Sequence, residues 1–236
     1  MIQTIYNEWF VKFKFPGREN SKMVESELGM IPDGWEVTTL SKVTNYINRG
    51  IAPKYDDESS SLVINQRCIR DNKINLETAR RHNGKVTSEK YVQFGDVLIN
   101  STGVGTLGRV AQLCEKIDNY TVDTHVSIVR PSGEVELYYF GIALQQLESY
   151  FESQGEGATG QTELRRDRIG QTLLLMPPIS LQRLFSTFVS PKRQIINILL
   201  QKNKRLCETR DLLLPRLISG EIDVSELDID VGGITA

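Results

Sequence analysis

The chain has 236 residues, 39% of them hydrophobic and 25% charged, with a formal net charge of -2. This suffices for one ordinary core plus an appendage, and it excludes a uniformly basic nucleic-acid binder. Cys68, Cys114 and Cys207 stand far apart without a C-x-x-C pair, and with only His82 and His125 beside them they exclude a zinc framework and a disulfide scaffold.

No basic leader followed by an apolar stretch and no long apolar run occurs, so a cytoplasmic protein without a membrane span is expected. Charge is nonetheless segregated. Glu221, Asp223, Glu226, Asp228 and Asp230 form an acidic tail, while Arg67, Arg70, Lys73, Arg80, Arg81, Lys85 and Lys90 crowd one mid-chain segment, which locally reads as a solvated face.

In chain order, Ile2, Ile5 and Trp9 recur at helical spacing, and Trp9, Val11, Phe13 and Phe15 then alternate with polar and aromatic neighbours. A short helix running into a strand is expected. Residues 16 to 30 begin with Pro-Gly and are polar, which predicts a linker. From Ile31 to Pro178 the apolar runs SLVIN, YVQF, DVLIN, RVAQL, HVSIVRP and TLLLMPP predict short strands, with one helical stretch at LYYFGIALQQLESYF. The fold class is α+β: a mixed domain with a twisted sheet and few helices, followed by a long C-terminal helical segment.

Ser180 predicts a helix through Val189, and Ser190-Pro191 predicts the N-cap and first turn of another, running to Leu214. Pro215 ends or kinks it before Gly220, a natural C-terminal cap. Leu199, Leu206 and Leu213 lie one heptad apart, and Val189, Ile196, Asn203, Arg210 and Leu217 hold the companion positions. A pairing seam with Asn203 and Arg210 fixing its register is expected, ahead of a helix lying on its own core.

VLINSTGVGTLGRV, residues 97 to 110, invites a phosphate-binding reading because Gly103, Gly105 and Gly108 satisfy G-x-G-x-x-G. As a P-loop it fails: Arg109 stands where lysine is needed and Val110 where a hydroxyl ligates magnesium. A dinucleotide-binding enzyme, with Asp123 as the ribose acid, needs a βαβ series that does not follow. A strand, a glycine-rich turn and a second strand is the favoured reading, with Ser101, Thr102 and Arg109 at its rim. MPPI, residues 176 to 179, lacks the polar and aromatic residues of an adenine methyltransferase motif. No catalytic constellation, metal-ligand cluster or placed nucleophile emerges, so a non-enzymatic protein is expected.

Whole stretches resemble the specificity (S) subunit of type I restriction-modification systems. IPDGWEVTTL is similar to the start of a target-recognition domain of that family, FGDVLINSTGVGTLGRV and DTHVSIVRP to its middle, and GATGQTELRRDRIGQTLLLMPPISLQ to its exit. RDLLLPRLISGEI resembles the end of its helical spacer, and YNEWFVKFKFPG the junction between the two halves of such a subunit. Family members carry two recognition domains and two spacer helices, whereas this sequence has room for one of each, so it resembles a half-subunit, natural or truncated.

The resemblance implies a segment 1–30 like the end of a spacer, a recognition domain over 31–178 and a spacer with an acidic tail over 179–236. It implies a non-catalytic reader of double-stranded DNA that positions a methyltransferase (M) and a restriction (R) subunit. S-adenosylmethionine and ATP would bind those partners, leaving this chain without a cofactor. Lys54, Tyr55, Asn65, Arg67, Arg70, Lys73, Arg80, Arg81, Lys85, Ser101, Thr102, Arg109, Thr159, Gln161, Arg165 and Arg166 are the expected DNA-contacting residues. Val189, Ile196, Leu199, Asn203, Leu206, Arg210, Leu213 and Leu217 are expected to join two copies into a homodimer. The alternatives are a truncated subunit that only docks on the methyltransferase and, less favoured, a dinucleotide-binding enzyme.

Overall fold

The computed structural model describes residues 1–18, 22–157 and 162–224. It contains two compact units, Met1–Pro191 and a second that begins at Lys192. In chain order the first unit holds α1 (Ile2–Tyr6), a π-helical turn (Asn7–Val11), β1 (Met23–Ser26), β2 (Gly29–Pro32), β3 (Glu36–Thr39), β4 (Thr44–Arg49), β5 (Leu62–Ile64), β6 (Ile69–Arg70), β7 (Lys73–Ile74) and β8 (Arg80–Arg81). There follow β9 (Val97–Asn100), β10 (Val110–Gln112), β11 (Tyr120–Val122), β12 (Val126–Pro131), α2 (Leu137–Gln146), α3 (Glu148–Ser153), α4 (Arg166–Gln171), β13 (Leu173–Met176) and the start of α5 (Ile179–Ile218). The architecture is mixed α+β with a long C-terminal helix. The first unit extends past residues 30 and 178, the borders expected from the sequence, on both sides.

A four-stranded antiparallel sheet, ordered β10-β9-β12-β4, forms the centre. Alternate residues of β9 serve different cores: Val97 and Ile99 join Val110 and Val129 on one face, while Leu98 joins Ala111, Val126 and Ile128 on the other. All of these side chains are fully buried. Burial on both faces explains why DVLIN and HVSIVRP read as apolar runs without alternation, and each such aliphatic side chain contributes about 1.5–3 kcal/mol on burial.

The first face is covered by an aromatic cluster. Phe10 of the π-helical turn lies 4.8 Å from Tyr139 of α2 and 5.1 Å from Phe185 of α5, centroid to centroid. The strand expected over residues 11 to 15 does not form. Backbone N–H groups of Lys12 and Lys14 donate to Asn7 and Glu8, and Phe13 takes a left-handed φ of 55°. Phe13 and Phe15 then meet Trp35 at 5.5 and 5.2 Å. The alternation in the sequence therefore reflects aromatic residues wrapping one indole rather than a ladder.

The polar segment read as a linker contains a hairpin: β1 and β2 pair antiparallel from Met23↔Pro32 to Ser26↔Gly29. Its turn is closed by Ser26, whose Oγ donates to the Gly29 carbonyl (2.7 Å) and accepts from the Leu28 N–H (3.2 Å). Most of its side chains remain solvated, so no apolar period announces it. YVQF is also not a strand. A short 3-10 turn, Ser88–Lys90, precedes it, and only Tyr91 makes a bridge, to Thr121.

β3 and β13 pair antiparallel, Glu36↔Met176 to Thr39↔Leu173, bringing together the stretches IPDGWEVTTL and TLLLMPP. A three-stranded sheet, β11-β5-β8, flanks the second core, with β11 parallel and β8 antiparallel to β5. The helical stretch forms as expected but divides at Leu147 into α2 and α3. The Glu136 carboxylate caps α2 by accepting from the Tyr138 and Tyr139 N–H groups. Its own N–H donates to Gln182 of α5 (3.0 Å), fixing that helix against α2.

The two helices expected after residue 178 are one. α5 runs unbroken through Pro191 and Pro215 for 40 residues, so neither proline starts or ends it. Each proline forfeits one backbone bond and crowds the preceding turn, at about 3 kcal/mol. Leu181, Phe185 and Val189 anchor the first turns in the core, and good helix formers follow. Gly220, at φ 73°, donates its N–H to Leu217 and provides the expected stop. Among the described residues no helix is long and apolar enough to cross a membrane.

One buried ion pair joins β12 to the start of β9. Arg130 on β12 donates from Nε and Nη2 to both carboxylate oxygens of Asp96, each at 2.8 Å, and Asp96 also accepts from the Gln93 N–H. Burial pushes the Asp96 carboxyl above its ordinary value despite the opposing pull of Arg130. Arg130→Ala leaves that carboxyl buried and unpaired, and is expected to cost about 3–5 kcal/mol in urea unfolding. A loss below about 1 kcal/mol would show a solvent-screened pair instead.

Candidate nucleic-acid interface

The glycine turn links two antiparallel strands. Asn100 and Gly108 close it, with Asn100 N–H donating to Arg109 (2.9 Å) and Gly108 N–H to Asn100 (2.8 Å). Inside it, the N–H groups of Thr106 and Leu107 donate to the Gly103 carbonyl. Those donors are spent internally, β10 runs back along β9, and no helix opens at the turn. The phosphate and dinucleotide readings end here, and the strand–turn–strand reading holds. Gly108 is required twice over: its φ is 82°, and a Cβ would collide with the Glu152 backbone of α3.

Several expected residues gather around this turn. Ser101 N–H donates to the His125 carbonyl, and Leu164 N–H donates to the Ser101 carbonyl, each at 2.8 Å. Thr102 Oγ1 meets His125 Nδ1 and bridges to Glu163. Glu163 pairs through its backbone with Glu156 and through its carboxylate with Arg49 at 2.9 Å. Glu156 in turn holds Arg165 at 3.6 Å and Arg168 at 2.7 Å. Asn65 caps the short turn Gln66–Cys68 by accepting from the Arg67 N–H, and the Gln66 carbonyl accepts from Asn100 Nδ2. Arg67 and Arg165 are exposed on this rim.

Two expectations need correction. Ser101 is fully buried, its hydroxyl 2.6 Å from Ser127 Oγ between β9 and β12, so it faces the sheet and not solvent. Arg109 folds back, donating from Nη2 to the Gly105 carbonyl (2.9 Å), and braces the turn. Thr159 and Gln161 lie outside the described residues.

A second group sits at the β8 end of the three-stranded sheet. The Arg80 guanidinium stacks 3.5 Å above the exposed Tyr55 ring, Tyr55 bridges to His82, and Lys54 and Lys85 are exposed beside them. Arg81 Nη1 donates to the Ser59 carbonyl (2.6 Å). His82 is fully buried, burial lowers its pKa, and its Nδ1 accepts from the Gly84 N–H (3.2 Å). Arg70 and Lys73 flank a third feature, the β6–β7 hairpin. Its tip is pinned by Asn72, which donates to the Val110 carbonyl and to Glu148. Among the described residues no hydrogen bond or ion pair joins Arg70 or Lys73 to the glycine rim.

Sequence reasoning missed a groove along β4 that carries several amide and charged side chains. One part, about 400 Å³, is lined by Thr44, Asn45 and Tyr46 of β4 and by Arg166, Asp167 and Gln171 of α4. An adjoining part, about 460 Å³, is lined by Asn48, Arg49, Glu163, Arg165, Arg166 and Asp167. The edge position of β4 could not be read from TNYINR. Among the described residues no cluster of His, Cys, Asp and Glu could hold a metal ion.

The seam residues divide. Val189 is fully buried in the core of the first unit and is therefore unavailable to a partner, because the first turns of α5 belong to that core. Ile196, Leu199, Leu206, Leu213 and Leu217 are between 39% and 66% exposed, an open apolar row on the second unit. Asn203 and Arg210 are exposed within that row, and Arg210 donates to its neighbour Asp211 (2.8 Å).

No protein-family model matches the chain. Two crystal structures share its fold: an HsdS subunit from Thermoanaerobacter tengcongensis, at TM-score 0.53 and 17% identity over 94% of this chain, and a type I restriction-modification S subunit from M. genitalium, at 0.57 and 15% over 92%. The fold is that of half a type I specificity subunit. The type I restriction enzyme HindI specificity subunit of Haemophilus influenzae is 25% identical over 205 residues, 81% of this chain and 42% of that protein. The chain spans about half the length of the specificity subunits it matches, and the half-subunit fold agrees with the resemblance carried by its sequence stretches.

Within this half-subunit fold the glycine turn sets the rim, and two substitutions separate conformation from packing. Gly105 has open space around it at φ 68°, so Gly105→Ala is expected to cost only about 1 kcal/mol. Gly108→Ala adds the collision with α3 and is expected to cost at least ~2 kcal/mol more by urea unfolding. Equal losses would show that α3 yields to the added methyl group.

Proposed function

We propose that this chain is a non-catalytic reader of double-stranded DNA, one half of a type I specificity assembly that positions methyltransferase and restriction subunits on a bipartite target. The observation that carries the reading is the likeness in fold to specificity subunits along nearly the whole chain, including the long helix. The exposed cations support it: Arg67 and Arg165 at the glycine rim, and Lys54, Arg80 and Lys85 near Tyr55, are suited to phosphates. S-adenosylmethionine and ATP belong to the partner subunits in this reading, and the chain needs no cofactor.

Two copies pair through the apolar row Ile196, Leu199, Leu206, Leu213 and Leu217, supplying the second reading domain. The helix from residue 192 to 218 provides roughly 40 Å of strut at about 1.5 Å per residue, slightly more than one turn of B-DNA. Identical halves about a two-fold axis read a palindromic, interrupted site.

Replacing Leu199, Leu206 and Leu213 together by Asp is expected to give a monomer in sedimentation over a concentration series, with the thermal unfolding of the first unit retained. A wild-type chain that stays monomeric throughout, with and without the methyltransferase, would reject the pairing. In a DNA shift assay over a salt series, Lys85→Ala is expected to weaken binding to all sequences and flatten the log–log salt slope by about one unit. Partner capture without any sequence preference in DNA binding would favour the docking-only alternative.

A further inference from the structure

Resting on that DNA-reading function, we infer that the groove between β4 and α4 is where base edges are read, with Asn45 and Gln171 as specificity-determining residues.

Phosphate oxygens only accept hydrogen bonds, so a backbone-tracking groove concentrates cations and avoids acids. This groove holds Arg49, Arg165 and Arg166, but it also holds the acids Glu163 and Asp167 and a set of amides that a purely backbone-tracking groove does not need. Asn45 and Asn48 line one wall and Gln171 the other, joined by hydroxyls of Ser41, Thr44 and Tyr46, and the Asp167 carboxylate borders both parts. Amides present a donor and an acceptor in one plane, the pattern that pairs bidentately with adenine, and a carboxylate accepts from the cytosine amine. Arg166 supplies the complementary fork for guanine. Among the described residues the side chains of Asn45, Gln171 and Arg166 have no hydrogen-bond or ion-pair partner, so their donors and acceptors are free for a ligand. Asn45, Gln171, Arg166 and Asp167 are exposed.

Position supports the same assignment. β4 is the edge of the central sheet, and its last residue, Arg49, is clamped by the Leu164 carbonyl (3.1 Å) and the Glu163 carboxylate (2.9 Å). Glu163 also bridges to Thr102 beside the glycine turn. The groove is therefore continuous with the cationic rim: the rim meets phosphates while the amides face the bases. Rigid strand and helix backbones on its two walls hold those amides in register, which loops alone would not.

The test is selection from a randomised duplex pool by the purified full chain, with and without a coexpressed methyltransferase. The wild type should enrich one motif. Asn45→Ala and Gln171→Ala, both at exposed positions, should keep the wild-type melting temperature and lose roughly tenfold discrimination at one or two base pairs. Lys85→Ala should keep the full motif while binding everything more weakly. An unchanged motif in both amide variants overturns the groove assignment and leaves the DNA-reading function intact. A wild-type chain that enriches no motif in either setting overturns that function, and the groove with it.

Discussion

The central constraint is that β9 and β12 are buried on both faces. Their side chains alternate between two apolar cores, one closed by aromatics from both ends of the first unit and the other facing the three-stranded sheet. Polar groups enter such a layer only where they are paired, as Ser127 of β12 is with Ser101, and the remaining polar chemistry lies at its margins. It is displaced to the strand ends, where the glycine turn and His125 lie, and to the edge strand β4. Ser101 illustrates the boundary: one residue beyond β9 it is still inside, its hydroxyl paired with Ser127, whereas its neighbour Thr102 already meets His125.

The same layer ties both chain ends of the first unit to one place. Tyr6 and Phe10 from the beginning, Tyr139 from α2, and Phe185 and Val189 from α5 share one core, while β3 and β13 pair where the chain enters and leaves the sheet region. Beyond Lys192 the apolar residues of α5 turn from buried to exposed, although the sequence pattern does not change. This arrangement of one mixed domain and one long helix matches the half-length likeness in fold to the specificity subunits.

The groove beside β4 shows how a site arises without a motif. Asn45 and Asn48 come from a strand, Gln171 from a helix more than a hundred positions later, and Asp167 and Arg166 from the same short helix. None carries a local signature. They converge because β12 places β4 at the sheet edge and because Arg49 clamps the segment that leads into α4.

Sequence alone determined the mixed α+β class, the strands DVLIN, RVAQL and HVSIVRP, the glycine turn, the helical stretch after residue 136 and the stop at Gly220. Each rests on a local property: apolar runs, backbone freedom at glycine, or helical spacing. Tertiary structure decided the rest. Prolines 191 and 215 read as helix boundaries, yet packing at Phe185 and Val189 and the helix-forming residues that follow outweigh their local cost, so α5 continues. Residues 11 to 15 alternate like a strand but curl around Trp35, and the hairpin after residue 22 lacks an apolar face to announce it. Whether Val189 faces a partner or its own core, and whether Ser101 meets solvent or Ser127, depends on neighbours distant in sequence. Local spacing carries no information about such neighbours.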